Sequence, residues 1–199
     1  MKNKPRCKQC RKIIQPGEKI QTLPLNAQVH IKDCLDKYIE KQLTKARKKK
    51  KELKREMAKA KKENQKSKTK KTAWDYFSLF IRLRDADKDG YCYCITCGAR
   101  RYYKDFMDAG HFVPKGIGEY FYFNEDNVHA QCRSCNGFKG GKRDVYRAEL
   151  IKKIGKDKVE ELERLEKERP ITKRTLKDYE KLKNKYRKKF NKLKKQKRA

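Results

Sequence analysis

Apolar periodicity is clearest near the end of the chain. Leu176, Tyr179, Leu182, Tyr186, Phe190 and Leu193 recur at spacings of three and four, which predicts an amphipathic helix with a polybasic opposite face. Upstream, "DVYRAELIKKIG" predicts a helix with Val145, Leu150, Ile151 and Ile154 facing inward and Gly155 closing it, and "KDKVEELERLEKE" predicts another, stopped by Pro170. In "TAWDYFSLFIRLRDAD", Trp74, Phe77, Leu79, Phe80, Ile81 and Leu83 crowd one broad face behind Thr72, a candidate N-cap. This helix is expected to pack on the core. Residues 35–72 differ: Leu35, Tyr38, Ile39 and Leu43 begin a stripe that lapses before Leu53 and Met57. Three clean heptads are missing, so a long, exposed, basic helix is predicted rather than a coiled-coil seam, with "NQKSKTKK" as a flexible joint at its end.

Composition limits how much these elements can bury. With 42% charged and 36% hydrophobic residues in 199, one large core is not expected. Eight cysteines and three histidines suggest that small folded parts use metal to make up for missing apolar burial. No charged-then-apolar leader opens the sequence, and the longest apolar run, residues 76–81, is too short for a bilayer. The expectation is a cytoplasmic chain, with no membrane partner and with reduced thiols.

The net charge of +32 matters through its distribution. Residues 41–71 carry 16 Lys and Arg against 3 Asp and Glu, and residues 171–199 carry 14 against 2, so 25 of the 32 charges lie on two flanking arms. Residues 72–170 are nearly neutral, at 19 against 17. Polycationic arms beside a neutral module suit phosphate neutralisation and counterion release, so the expected partner is nucleic acid.

Metal ligands are legible in the cysteine spacing. Cys7 and Cys10, then His30 and Cys34, form a Cys-Cys-His-Cys set with room for a hairpin beneath one zinc ion. Cys94, Cys97, Cys132 and Cys135 form a second set of two Cys-x-x-Cys knuckles. Cys92 is left over, either as a small buried hydrophobe or as a substitute for Cys94; regular spacing favours Cys94 as the ligand. "DADKDG" at residues 85–90 resembles half a calcium loop, but Thr96 stands where a bidentate Glu is needed, so an Asp-rich turn is the better reading.

Between the knuckles lies "AGHFVPKG" and then "FNEDNVHAQCRSCN", where zinc no longer explains the residues. Four cysteines already close a tetrahedron, leaving His111 and His129 free for other work. A neutral imidazole takes a proton from water readily, and a hard cation beside it would stabilise charge on a phosphate. A strand ending at a histidine, an ordered loop, an asparagine, a second strand and a helix is the order of a ββα-metal nuclease.

These motifs, with "CITCG" and "YRAELIKKIG", resemble the NinG (Rap) recombination nucleases of lambda-type bacteriophages, which are similar to the wider HNH endonucleases. The resemblance is close from Trp74 to about Leu165. It implies that His111 is the general base, that Asn127 holds the loop which aims it, and that Asn136 binds a catalytic Mg²⁺ or Mn²⁺. HNH enzymes often carry an Asp immediately before the base; Gly110 stands there. His129, if it shares a strand face with Asn127, is the preferred second ligand, with Asp108 the weaker alternative. Lys115, Lys139, Lys142 and Arg143 flank the site as expected phosphate contacts.

The expected fold class is a small α+β protein. Its organisation is a zinc module at 1–34, a basic helical linker at 35–72, an HNH-like core with the second zinc at 73–155 and basic amphipathic helices at 156–199. The expected function is metal-dependent endonucleolytic cleavage of DNA, with branched recombination intermediates as the substrate the resemblance implies. A homodimer or a recombination protein partner is compatible with this reading. The alternative is a non-catalytic zinc protein that binds nucleic acid and recruits a partner.

Overall fold

A computed structural model describes residues 5–31, 33–137 and 142–197 and shows a small α+β protein, with short two-stranded sheets and longer helices. It divides into two compact units, 1–62 and 63–199. In the first, β1 (Ile20–Leu23) and β2 (Ala27–His30) form an antiparallel hairpin that sets Ile20 opposite His30. Cys7, Ile14 and Val29 are buried beneath it, joined by Leu35 and Tyr38 from the start of α1 (Asp33–Arg84). Farther along α1, Ile39, Leu43, Leu53 and Met57 are exposed, as their broken periodicity predicts.

The joint expected at "NQKSKTKK" is instead helical, because α1 runs through it without interruption. The segment contains no Gly or Pro, and Lys and Gln propagate a helix well enough to outweigh local charge repulsion. Thr72 is therefore not an N-cap. Its hydroxyl donates to the Lys68 carbonyl at 3.1 Å, inside the helix.

The second unit holds β3 (Tyr91–Tyr93) paired with β4 (Arg100–Tyr102), and β5 (Met107–His111) paired antiparallel with β6 (Val128–Cys132). Between β5 and β6 lies the short α2 (Glu119–Tyr122); after β6 come α3 (Arg133–Gly137), α4 (Arg143–Ile154), α5 (Lys156–Glu168) and α6 (Leu176–Gln196). The Asp-rich turn is observed: the Asp87 carboxylate accepts from the amides of Asp89 and Tyr91.

Two apolar clusters carry this unit. In one, Phe77, Phe80 and Ile81 of α1 pack with β5 and β6 against Tyr179, Tyr186 and Phe190 of α6. The α6 stripe thus buries on its own unit, with Phe77 and Tyr186 edge-to-face at 4.7 Å, while Lys177, Lys181, Lys188 and Lys192 remain exposed. Thr175 and Asp178 form the capping box that starts this helix. In the other cluster, Phe112, Val113 and Phe121 of the β5–β6 connection meet Tyr146 and Leu150 of α4 and Val159 and Leu162 of α5. Val145, expected inward, is exposed; α4 buries Tyr146 and Leu150 instead. Among the described residues, no helix is long and apolar enough to cross a membrane.

Candidate active site

Both predicted cysteine sets converge. Cys7, Cys10, His30 and Cys34 bring their ligand atoms within 4.8 Å of one another, as do Cys94, Cys97, Cys132 and Cys135. In the second set, Sγ of Cys97 and Sγ of Cys132 are 3.8 Å apart. A zinc tetrahedron with Zn–S bonds of about 2.3 Å has an edge of about 3.8 Å, so the donors fit that ion in type and spacing. In the first set, Nδ1 of His30 turns toward Cys10 while Nε2 meets Glu18 at 3.2 Å. A carboxylate behind the histidine fixes its tautomer, a role for Glu18 that sequence reasoning missed. Cys92 stands outside both sets: it is buried, its thiol donates to the Arg82 carbonyl, and burial pushes its pKa up to about 12.

His111 closes β5 and lines a cleft of about 550 Å³ shared with Asp108, Asn136, Lys115 and Trp74. Its Nε2 lies 3.3 Å from the Tyr122 carbonyl, an acceptor only, so Nε2 carries the proton and Nδ1 keeps its lone pair. No buried side-chain nitrogen or oxygen among the described residues is left without a hydrogen bond, and Nδ1 of His111 has no partner among those residues. It therefore opens to solvent. The ring stacks on Trp74 with centroids 5.1 Å apart, another contact that periodicity did not signal. Burial, helped by Lys115 and opposed by the Tyr122 carbonyl, pushes the pKa of His111 down to about 4, so the imidazole is neutral at ordinary pH.

Asn127 is fully buried just before β6 and pins the connecting loop. Its Oδ1 accepts from the Val113 amide at 2.8 Å, and its Nδ2 donates to the carbonyls of Val113 and Phe121 at 3.0 and 3.1 Å. Those bonds hold the segment carrying the Tyr122 carbonyl. Glu119 of α2 anchors the same segment by pairing with Lys70, Arg174 and Tyr179. Asn136 projects from α3 and donates to Asp108 at 3.1 Å. A half-buried carboxylate beside an exposed amide offers the hard oxygen donors that suit Mg²⁺ or Mn²⁺.

Gly110 has a steric explanation. A Cβ there would stand 2.2 Å from Oε1 and 2.8 Å from Cβ of Gln131, which is buried on β6 with its amide donating to Thr96 at 2.7 Å. The space of a residue-110 side chain is already filled. Gly110→Asp is expected to destabilise the unit by roughly 1–3 kcal/mol, as overpacking does. Thermal denaturation checks this, and adding Gln131→Ala should recover part of the loss.

His129 does not join the cleft. It pairs with Gly110 in the β5–β6 register and is buried, its Nε2 donating to the Asp126 carbonyl at 3.1 Å and its Nδ1 accepting from Arg84 at 2.8 Å. Both nitrogens are committed, so the preference for His129 over Asp108 is reversed. Burial, with Arg84 and Lys153 adding to it against Asp85, lowers the pKa of His129. Asp85 ties β6, α1 and α4 together through the Ala130 amide, Arg84 and Lys153. Of the expected phosphate contacts, Lys115 borders the cleft and Lys142 starts α4 in a left-handed conformation. Arg143 forks onto Glu166 and covers Phe112, so its charge is largely spent within the unit. Lys139 lies outside the described residues.

Comparison with known proteins adds an independent observation. Residues 1–197 match the family model described as Bacteriophage Lambda NinG protein. The chain is similar to Protein ninG of Escherichia phage lambda, 40% identical over 93 residues that make up 47% of this chain and 43% of that protein. Protein ninG of Escherichia phage 933W is 39% identical, and that of Salmonella phage P22 38%, each over 93 residues and the same shares. The alignments thus span less than half the length of these relatives. No solved structure matches.

Proposed function

Because the chain belongs to the bacteriophage lambda NinG family, we propose that it is a divalent-metal-dependent endonuclease of the HNH type acting on branched DNA during phage recombination. The observation that carries this reading is a single cleft lined by His111, whose Nε2 is held by the Tyr122 carbonyl, and by the hydrogen-bonded Asp108–Asn136 pair. His111 takes a proton from water as the water oxygen bonds to phosphorus and the P–O bond to the leaving oxygen breaks. Asn127 and Trp74 keep the imidazole in place for that transfer. Asp108 and Asn136 would hold a Mg²⁺ or Mn²⁺ ion, which supplies electrostatic stabilisation of the charge developing on the phosphate.

Lys115 borders the scissile position, and the exposed lysines of α6 and α1 supply salt-dependent grip on the backbone. The test is incubation of the zinc-loaded chain with linear and four-way-junction DNA, with and without Mg²⁺ or Mn²⁺. Junction cleavage that needs the added ion is expected. Binding without cutting would leave the accessory role in its place.

A further inference from the structure

We infer that Phe106, with Arg133 and Arg101 beside it, is a stacking site for an unpaired DNA base, placed to set where the candidate cleft cuts. The inference rests on the endonuclease reading and deepens it by naming how a branch is recognised.

Phe106 is 65% exposed, although it immediately precedes β5, whose first residue Met107 is buried. Its backbone has a positive φ of 53°, which bulky side chains rarely adopt and which Gly or Asn would accept at little cost. The chain thus carries two unfavourable features at one position, and neither serves the apolar core. What the conformation achieves is display. The ring lines a second open cleft of about 460 Å³ together with Arg101, Arg133 and Ser134, beside Cys97 and Cys132 of the second cysteine set. The Arg133 guanidinium lies 5.6 Å from the ring centroid. An exposed aromatic face flanked by guanidinium groups suits a base with its attached phosphates, since stacking tolerates any base and the cations meet the backbone.

The position relative to the candidate active site supports this assignment. Phe106 immediately precedes β5 and stands two residues before Asp108 in the chain. Its carbonyl accepts from the Arg133 amide at 3.2 Å, tying it to the first residue of α3, the helix that carries Asn136. A base seated on Phe106 is therefore held by the same strand and helix as the proposed metal ligands. Fully paired DNA keeps its bases stacked and offers none to this ring; a junction or single-strand flap does.

The experiment uses the full, zinc-loaded chain without added Mg²⁺, so that binding is read independently of cutting. DNA carrying 2-aminopurine at an unpaired branch position is titrated with wild type, Phe106→Gly and Phe106→Trp. Quenching by the wild type, an affinity loss of about tenfold for Phe106→Gly and retention by Phe106→Trp are expected. Affinity for fully paired duplex should change by less than about twofold on the Gly substitution, since stacking contributes only where a base is free. The Gly variant should also melt no lower than wild type, because it relieves the positive-φ strain. Equal loss on paired and branched DNA, absent quenching, or a lowered melting temperature would overturn the inference. If the wild type stacks the base yet never cuts, the endonuclease reading fails and with it the role of Phe106 in placing a cut, while the base-stacking site itself stands.

Discussion

With alanine at position 111, metal-dependent DNA cleavage is expected to fall by about two to four orders of magnitude while DNA binding is retained. The size follows from what the imidazole contributes. Its Nε2 is committed to the Tyr122 carbonyl, so the proton-accepting nitrogen is fixed before substrate arrives. The exposed lysines of α6 and α1, to which the proposed function assigns much of the grip on phosphate, are untouched by the change. A measurement of cleavage rate at saturating enzyme, beside a binding titration at the same salt, separates the two effects. Unchanged cleavage would remove His111 from the chemistry while leaving the endonuclease reading intact.

The same residue sets a pH signature. Burial holds the free-enzyme pKa near 4, so kcat/KM should change little between about pH 7.5 and 5.5, whereas an ordinary imidazole of pKa about 6.5 would lose roughly tenfold at the lower end. The sign for stability follows from the same shift. The folded state resists protonation that the unfolded state accepts, so the contribution of His111 is complete above about pH 6.5 and declines as pH falls toward 4.

Short-range patterns in the sequence translated well. Cys94, Cys97, Cys132 and Cys135 could be paired from spacing alone because knuckle geometry is local, and the α6 stripe was visible because Tyr179, Tyr186 and Phe190 repeat with the helix. Failures came where a distant partner decided the outcome. His129 looked free until Arg84 and Asp126 were seen to use both nitrogens, and Arg143 looked like a phosphate contact until Glu166, 23 residues away, claimed its guanidinium. Alternation from Asn127 misled because Asn127 lies just outside β6 and turns into the loop, so strand periodicity does not link it to His129. Gly110 and Asp108 were ambiguous for a related reason: only the register of β5 against β6 shows Gln131 filling the space of a residue-110 side chain.

Stripping metal from the second cysteine set should cost more than any single packing change, because these residues join elements that otherwise share little core. Cys94 and Cys97 follow β3, Cys132 ends β6 and Cys135 lies within α3, so one ion would fix the axis of the helix that carries Asn136. In the metal-free state the thiols conflict. For Cys132, burial is outweighed by the Ser134 hydroxyl and the Cys135 amide, which bring it down to about 6; burial and the neighbouring thiols push Cys135 up to about 12. A divalent cation relieves that repulsion and holds the set ionised. Structural zinc contributes on the order of 10 kcal/mol or more in small modules, comparable to the whole stability of a domain, about 5–15 kcal/mol. Metal analysis is therefore expected to find two zinc ions per chain, with Cys135→Ala retaining one and losing both cooperative unfolding of the 63–199 unit and cleavage. Cys92→Ala is the control: that thiol donates to the Arg82 carbonyl and belongs to neither cysteine set, so two ions and cleavage should persist at a cost of about 1–3 kcal/mol in stability. Two ions retained by the Cys135 variant would show that the tetrahedron does not hold α3, and the placement of Asn136 would then need another cause.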